Sequence, residues 1–150
     1  MAIARGPGSE IIRCYAADDL DSAGRIIIKG EQHHIYTVLS ITVFAHTINT
    51  AGNYVRCDLY GYDCIGGDAN QFPISIFEQE MQSKQTFVWN DKFSFNGHGP
   101  TDFAGPLSTV AHQNALADQA DSNAQQLYLT TEHADDNFHI TCTFIDQNNA

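Results

Sequence analysis

The second half of this sequence lacks basic side chains. From Phe93 to Ala150 there is neither lysine nor arginine, and all seven basic residues stand at or before Lys92. The same stretch carries Asp102, Asp118, Asp121, Glu132, Asp135, Asp136 and Asp146, and the whole chain has a formal net charge of −11. Such a surface repels phosphate backbones, so no nucleic-acid partner is expected. Long apolar runs are missing too: none approaches the roughly 20 residues that span a bilayer, and the opening MAIARGPGSE has no apolar export core. The expectation is a soluble protein with no membrane partner and no cleaved signal.

Cysteines are few, at positions 14, 57, 64 and 142, and none form a C-x-x-C pair. Zinc chemistry therefore has no signal. Cys57 shares strand parity with Val55 and Leu59, and Cys142 with Ile140 and Phe144, so both read as small buried hydrophobes with free thiols; a pairing of Cys14 is the alternative. Seven histidines are present, but H-x-H and H-E-x-x-H are not, and adjacent His33 and His34 point to opposite faces of a strand. The aspartates at 18, 19 and 21 and the ADDN at 134–137 lack the alternating calcium-loop pattern and read as solvated turns. Nucleophile signatures such as G-x-S-x-G and S-x-x-K are likewise missing. Neither catalysis nor a metal or cofactor is expected.

What remains is β-forming. Nine Phe, six Tyr and many Ile and Thr stand in short alternating segments, and at 150 residues the chain fits one domain. Residues 1–9 contain Gly6, Pro7 and Gly8 and read as an arm, with residues 10–150 as the domain. Glu10 to Ala16 reads as a strand, and Arg25 to Gly30 as another whose partner should lie close in sequence. HIYTVLSITVFAH and YVRCDLYGY are expected to pair as a central hairpin, with Leu39, Ile41 and Val43 on one face and Val55, Cys57 and Leu59 on another. CIGGDANQ is a loop and FPISIFE a strand. TFVWNDKFSFNG is a bent strand with both faces covered. The stretch 97–124 is a long loop holding at most a short helix. LYLTTE and FHITCTFID close the chain as a second hairpin, with Phe138, Ile140, Cys142 and Phe144 on one face. Eight or nine such strands predict an antiparallel β-sandwich, specifically a jelly roll.

Two groups of side chains suit contact with another macromolecule. Tyr54, Arg56, Tyr60 and Tyr62 share a strand face with Asp58, and aromatic residues with arginine are the side chains that interfaces favour. Trp89, the only tryptophan, reads as core or subunit interface rather than as a ligand platform.

Taken in order, YTVLSITVFAH, the Gly/Asn turn, CDLYGYD, ISIFEQEMQSKQTFVWNDKFSFNG and the closing LYLTTEHADDNFHITCTFID resemble the small jelly-roll proteins that decorate or cement the capsids of tailed bacteriophages. The resemblance spans Ile35 to Asp146 and is one of pattern. It implies a virion protein made in the host cytoplasm and bound to the capsid surface, with the major capsid protein and two further copies of itself as partners. It implies binding without catalysis. Contact with the capsid or a neighbouring subunit is then expected at Ile3, Arg5, Ile11, Ile12 and Arg13, and at Tyr54, Arg56, Tyr60, Tyr62 and Trp89. A receptor-binding or tail-fibre tip that contacts cell-surface glycans is the competing reading. A cupin-like or glycan-active enzyme is a more distant one.

Overall fold

A computed structural model describes residues 8–60, 73–98, 108–118 and 124–149. Ile3, Arg5, Tyr62, Cys64 and the loop CIGGDANQ lie outside the described residues. Among the described residues nine strands and one helix follow in the order β1 (Ser9–Leu20), β2 (Arg25–Lys29), β3 (His34–Thr47), β4 (Tyr54–Tyr60), β5 (Ile74–Glu80), β6 (Thr86–Trp89), β7 (Phe93–Asn96), α1 (Val110–Asp118), β8 (Gln126–Thr131) and β9 (Asn137–Asn148). One sheet runs β1-β9-β3-β6, with β7 extending the β6 position along β3, and the other runs β2-β8-β4-β5. Every pairing is antiparallel. The pairs are nested: β1 with β9, β2 with β8, β3 with β6 and β7, β4 with β5. That nesting is a long ribbon rolled on itself, the jelly roll expected from the sequence.

The two expected hairpins are not hairpins. β3 and β4 lie in opposite sheets, as do β8 and β9, so each short connection crosses the sandwich. Period-two alternation assigns the face of a strand and leaves its partner open. Here Ile41, Val43 and Ala45 of β3 and Val55, Cys57 and Leu59 of β4 are all buried, and the two sets line opposing sheets. Likewise β2 pairs with β8 at the far end of the chain instead of with a close neighbour.

Leu39 departs from the expected alternation. The register of β3 against β9 slips between Val38 and Ser40, which leaves Leu39 as the extra residue of a bulge. Tyr36 and Val38 face inward before it, and Ile41, Val43 and Ala45 after it. β6 is also covered on one face only: Phe87 and Trp89 pack inward against Phe77, with ring centroids 5.1 and 5.5 Å away, while Val88 is 51% exposed. Strand β1 runs four residues beyond the expected Ala16, to Leu20, and begins within the expected arm at Ser9.

β9 matches its expectation, with Phe138, Ile140, Cys142 and Phe144 all buried. Within 97–124, Gly97 and His98 belong to the body. Gly97 donates to the His34 carbonyl and accepts from the Gln125 amide, and a Cβ on Gly30 would run into the Gly97 backbone, so this crossing needs glycine on both sides. α1 is the short helix allowed for. The Thr109 hydroxyl caps it by accepting from the His112 amide at 3.2 Å.

Cys57 and Cys142 are buried free thiols and Cys14 is an exposed one. A thiol reagent added to the native protein should modify Cys14 rapidly and leave Cys57 and Cys142 untouched until the chain unfolds. Peptide mapping of labelled protein checks this, and equal labelling of all three would contradict the packing.

Candidate functional site

At the end of the sandwich where β3 begins and β9 finishes, a polar chain links three strands and the turn before β3. Alternation along β9 carries the inward face past Phe144 to Asp146, which is buried. Its Oδ2 accepts from Arg13 Nη1 at 3.0 Å, and its Oδ1 lies 2.7 Å from His34 Nδ1. His34 Nε2 faces Glu31 Oε2 at 3.5 Å. The Glu31 amide donates to the Tyr36 hydroxyl at 3.1 Å. The Arg13 guanidinium also lies over the Phe144 ring, 5.5 Å from its centroid.

Burial pushes the Tyr36 hydroxyl up to about 12; the Asp146 and Glu31 charges add to the shift, and the bond from the Glu31 amide opposes it. Both nitrogens of His34 face carboxylates, so this imidazole is held in one orientation between them. The arrangement ties β1, β3 and β9 together around a buried charge.

The opposite end, where β3 finishes and β9 begins, has its own buried carboxylate. Asp136 accepts from the Asn49 amide at 2.5 Å and from the side-chain amide of fully buried Asn53. Asn53 accepts in turn from the Glu132 amide at 3.0 Å, and its carbonyl takes the Met81 amide at 3.0 Å. Asp135, next in line, is exposed and contributes only its carbonyl, to the Asn49 side chain.

The outer face of β4 carries the third arrangement. Asp58, also buried, accepts from Arg56 Nε at 3.0 Å and from Ser75 Oγ at 2.8 Å. Desolvation lowers the Arg56 pKa, but the Asp58 charge, the hydrogen bond to Asp58 and the Tyr54 and Glu78 charges together outweigh it, and the net shift is upward. Arg56 is thereby anchored beside half-buried Tyr54, and half-buried Tyr60 follows Asp58 on the same face. Tyr60 meets Tyr128 of β8 edge to face at 5.7 Å. With Ile26, Ala124 and Gln126 the two tyrosines line an open hollow of about 290 Å³.

The expected contact residues thus fall into separate places. Ile11, Ile12 and Arg13 stand together on β1, with Ile11 42% and Ile12 71% exposed. Tyr54, Arg56 and Tyr60 lie on the other sheet. Trp89 belongs to neither group; it is stacked on Phe77 at the rim of the core. Sequence reasoning missed Asp58, Asp136, Asp146, Asn53 and His34 as organising residues. For Asp146 a signal existed, since it continues the parity of Phe138 to Phe144.

Among the described residues no three metal-ligating side chains converge, and no helix is long and apolar enough to cross a membrane.

No family model matches the chain, and no curated protein matches it. Solved structures do. One is from work reporting that Bacillus endospore appendages form a novel family of disulfide-linked pili: 11% identity, TM-score 0.44, covering 100% of this chain and 97% of that one. Another is from the T13 viral particle of IBDV, at 7% identity and TM-score 0.48, covering 99% of this chain and 35% of that one. A third is from the Gx strain of infectious bursal disease virus, at 8% identity and TM-score 0.47, covering 99% and 37%. The chain spans about a third of the length of the two virus proteins. With likeness at this level, the functional reading has to rest on the chain's own geometry.

Proposed function

We propose that this chain is a structural virion protein that binds the outer surface of a bacteriophage capsid through the major capsid protein, as a homotrimer, and works by binding without catalysis. In this reading it is made in the host cytoplasm and resides on the capsid surface. The observation that carries it is the outer face of β4. Along this face the order is Tyr54, Arg56, Asp58, Tyr60, and buried Asp58 holds the Arg56 side chain in place beside Tyr54. Aromatic and arginine side chains dominate binding energy at protein interfaces, and holding them in place beforehand reduces the ordering cost of association. The buried carboxylates Asp58, Asp136 and Asp146 support the same reading, because each is engaged in tying strands or ends together. The acidic charge of the chain suits a face turned to solvent.

Co-sedimentation with purified capsids tests the proposal. Wild-type protein should reach saturating occupancy on the shell. Tyr54→Ala with Tyr60→Ala should lower affinity by roughly tenfold or more, and deletion of residues 2–9 should reduce occupancy. Undiminished binding of either variant refutes the role of that face or that segment. Failure of the wild-type protein to bind refutes the proposal.

The second reading, a receptor-binding tip, draws on the hollow between Tyr60 and Tyr128, where paired aromatic rings offer a platform for a sugar ring. Its location would be the tail, at low copy.

A further inference from the structure

A sheet edge presents a row of unpaired amides and carbonyls, and folded proteins blunt such edges with shortness, bulges, charges or proline. Among the described residues the two sheets have four edges, and three of them are blunted. β6 and β7 are four-residue pieces separated by Asn90, Asp91 and Lys92. β2 is five residues long with a bulge between Ile26 and Ile28, and Arg25 and Lys29 stand at its ends. β5 slips register opposite Cys57 and Asp58 and carries Glu78 and Glu80. β1 is different. It has twelve residues and no proline, and it keeps unbroken register with β9 from Ser9 to Ala17; its bulge and its aspartates lie beyond Ala17, Glu10 and Arg13 are the charges within the regular stretch, and Ile11 and Ile12 are exposed.

We infer that β1 is an interaction edge whose occupant is β1 of a second copy of this chain, paired antiparallel about a two-fold axis normal to the sheet. Such an axis keeps like faces together, so each residue must meet one of its own parity, and the register is centred on a single residue. Within the regular stretch Ser9 to Ala17 the longest pairings are those centred on Ile12, Arg13 or Cys14, and charge selects among these three. Centring on Arg13 sets two arginines directly opposite each other. Centring on Cys14 sets Glu10 against the partner's Asp18. Centring on Ile12 pairs Ile12 with the partner's Ile12, Ile11 with the partner's Arg13 and Glu10 with the partner's Cys14. No like charges then meet, and the pairing runs from Ser9 to the partner's Tyr15, inside the regular part of the strand. Arg13 is already neutralised by Asp146. The contact is two-fold, goes beyond the trimeric capsid reading and does not depend on it.

Sedimentation equilibrium of the full chain, wild type against Ile12→Lys, reads this contact. The substitution should weaken the association by roughly tenfold or more, by removing an apolar residue at the centre and placing two charges there. The circular-dichroism spectrum should stay unchanged, and so should Tm at protein concentrations low enough to keep both proteins monomeric, since Ile12 is 71% exposed in the single chain. Equal association of both proteins, or none by the wild type, overturns the pairing. Oxidised Glu10→Cys protein then fixes the register: a disulfide between the introduced thiol and the partner's Cys14 supports it, and linkage solely between two Cys14 thiols overturns it. Capsid binding is measured independently, so loss of either property is distinguishable from loss of the other.

Discussion

Replacing Asp136 by alanine should lower the stability of the protein by about 3–5 kcal/mol, the range for removing one member of a buried, charged hydrogen-bond network. Asp136 is buried at the crossing of two connections, β3 to β4 and β8 to β9, and both of its oxygens are in use. Without it, the Asn49 amide and the Asn53 side chain lose their acceptor. Asn53 is itself fully buried and cannot turn to water. For a chain of this size each kcal/mol moves Tm by about 2–4 °C, so thermal unfolding should shift down by on the order of 10 °C. Asp135→Ala is the control. Asp135 is exposed and bonds only through its backbone, so the cost should stay within about 0.5 kcal/mol. Equal effects of the two substitutions would show that the network does not hold this end together.

The second large effect is alkaline. Burial pushes the Cys142 thiol from 9.0 up to about 12, with the Cys14 charge adding to it, and the Tyr36 hydroxyl from 10.0 up to about 12. Burial also raises the Cys57 thiol, with smaller contributions from Cys142 and Asp58. In each case the folded state holds its proton more tightly than the unfolded chain does. The stability these groups contribute is therefore complete below pH 9 and is lost as pH rises through 9 to 12. At about 1.4 kcal/mol per unit, Tyr36 alone accounts for about 2–3 kcal/mol across that window, and the buried thiols add to it. A domain with a total stability of about 5–15 kcal/mol should unfold cooperatively before pH 12. Urea midpoints should hold from pH 8 to about pH 9 and fall from there to pH 11. Cys142→Ala should flatten the decline, since that variant has no thiol there to ionise. A midpoint constant to pH 11 would contradict the burial of all three groups.

The faces of the strands were legible from alternation alone. Val55, Cys57 and Leu59 point inward, as do all four apolar residues of β9 from Phe138 to Phe144. Their partners were not, because pairing β2 with β8 or β1 with β9 is decided by how the rolled ribbon closes its core, with partners about a hundred residues or more apart in the chain. Leu39 was misplaced because a single bulge reverses parity, and β-branched and apolar residues on both sides of it hide the slip. The buried carboxylates were invisible for a different reason. Aspartate in a turn usually faces water, which holds for Asp135, while Asp136 beside it is drawn inward by two amides that only the fold brings near. Of the expected contact residues, Ile11 and Arg13 share one face of β1 while Ile12 lies on the other, and Tyr54, Arg56 and Tyr60 share the outer face of β4. Trp89 went to the core because Phe77 of the opposite sheet offers it a stacking partner.

The proposal of a shell-bound structural protein is tested most directly by quantitative mass spectrometry of intact virions, with the major capsid protein as internal standard. The account predicts this chain at dozens of copies or more per particle, in a fixed ratio to the shell subunit. A handful of copies per particle, or none, would contradict it.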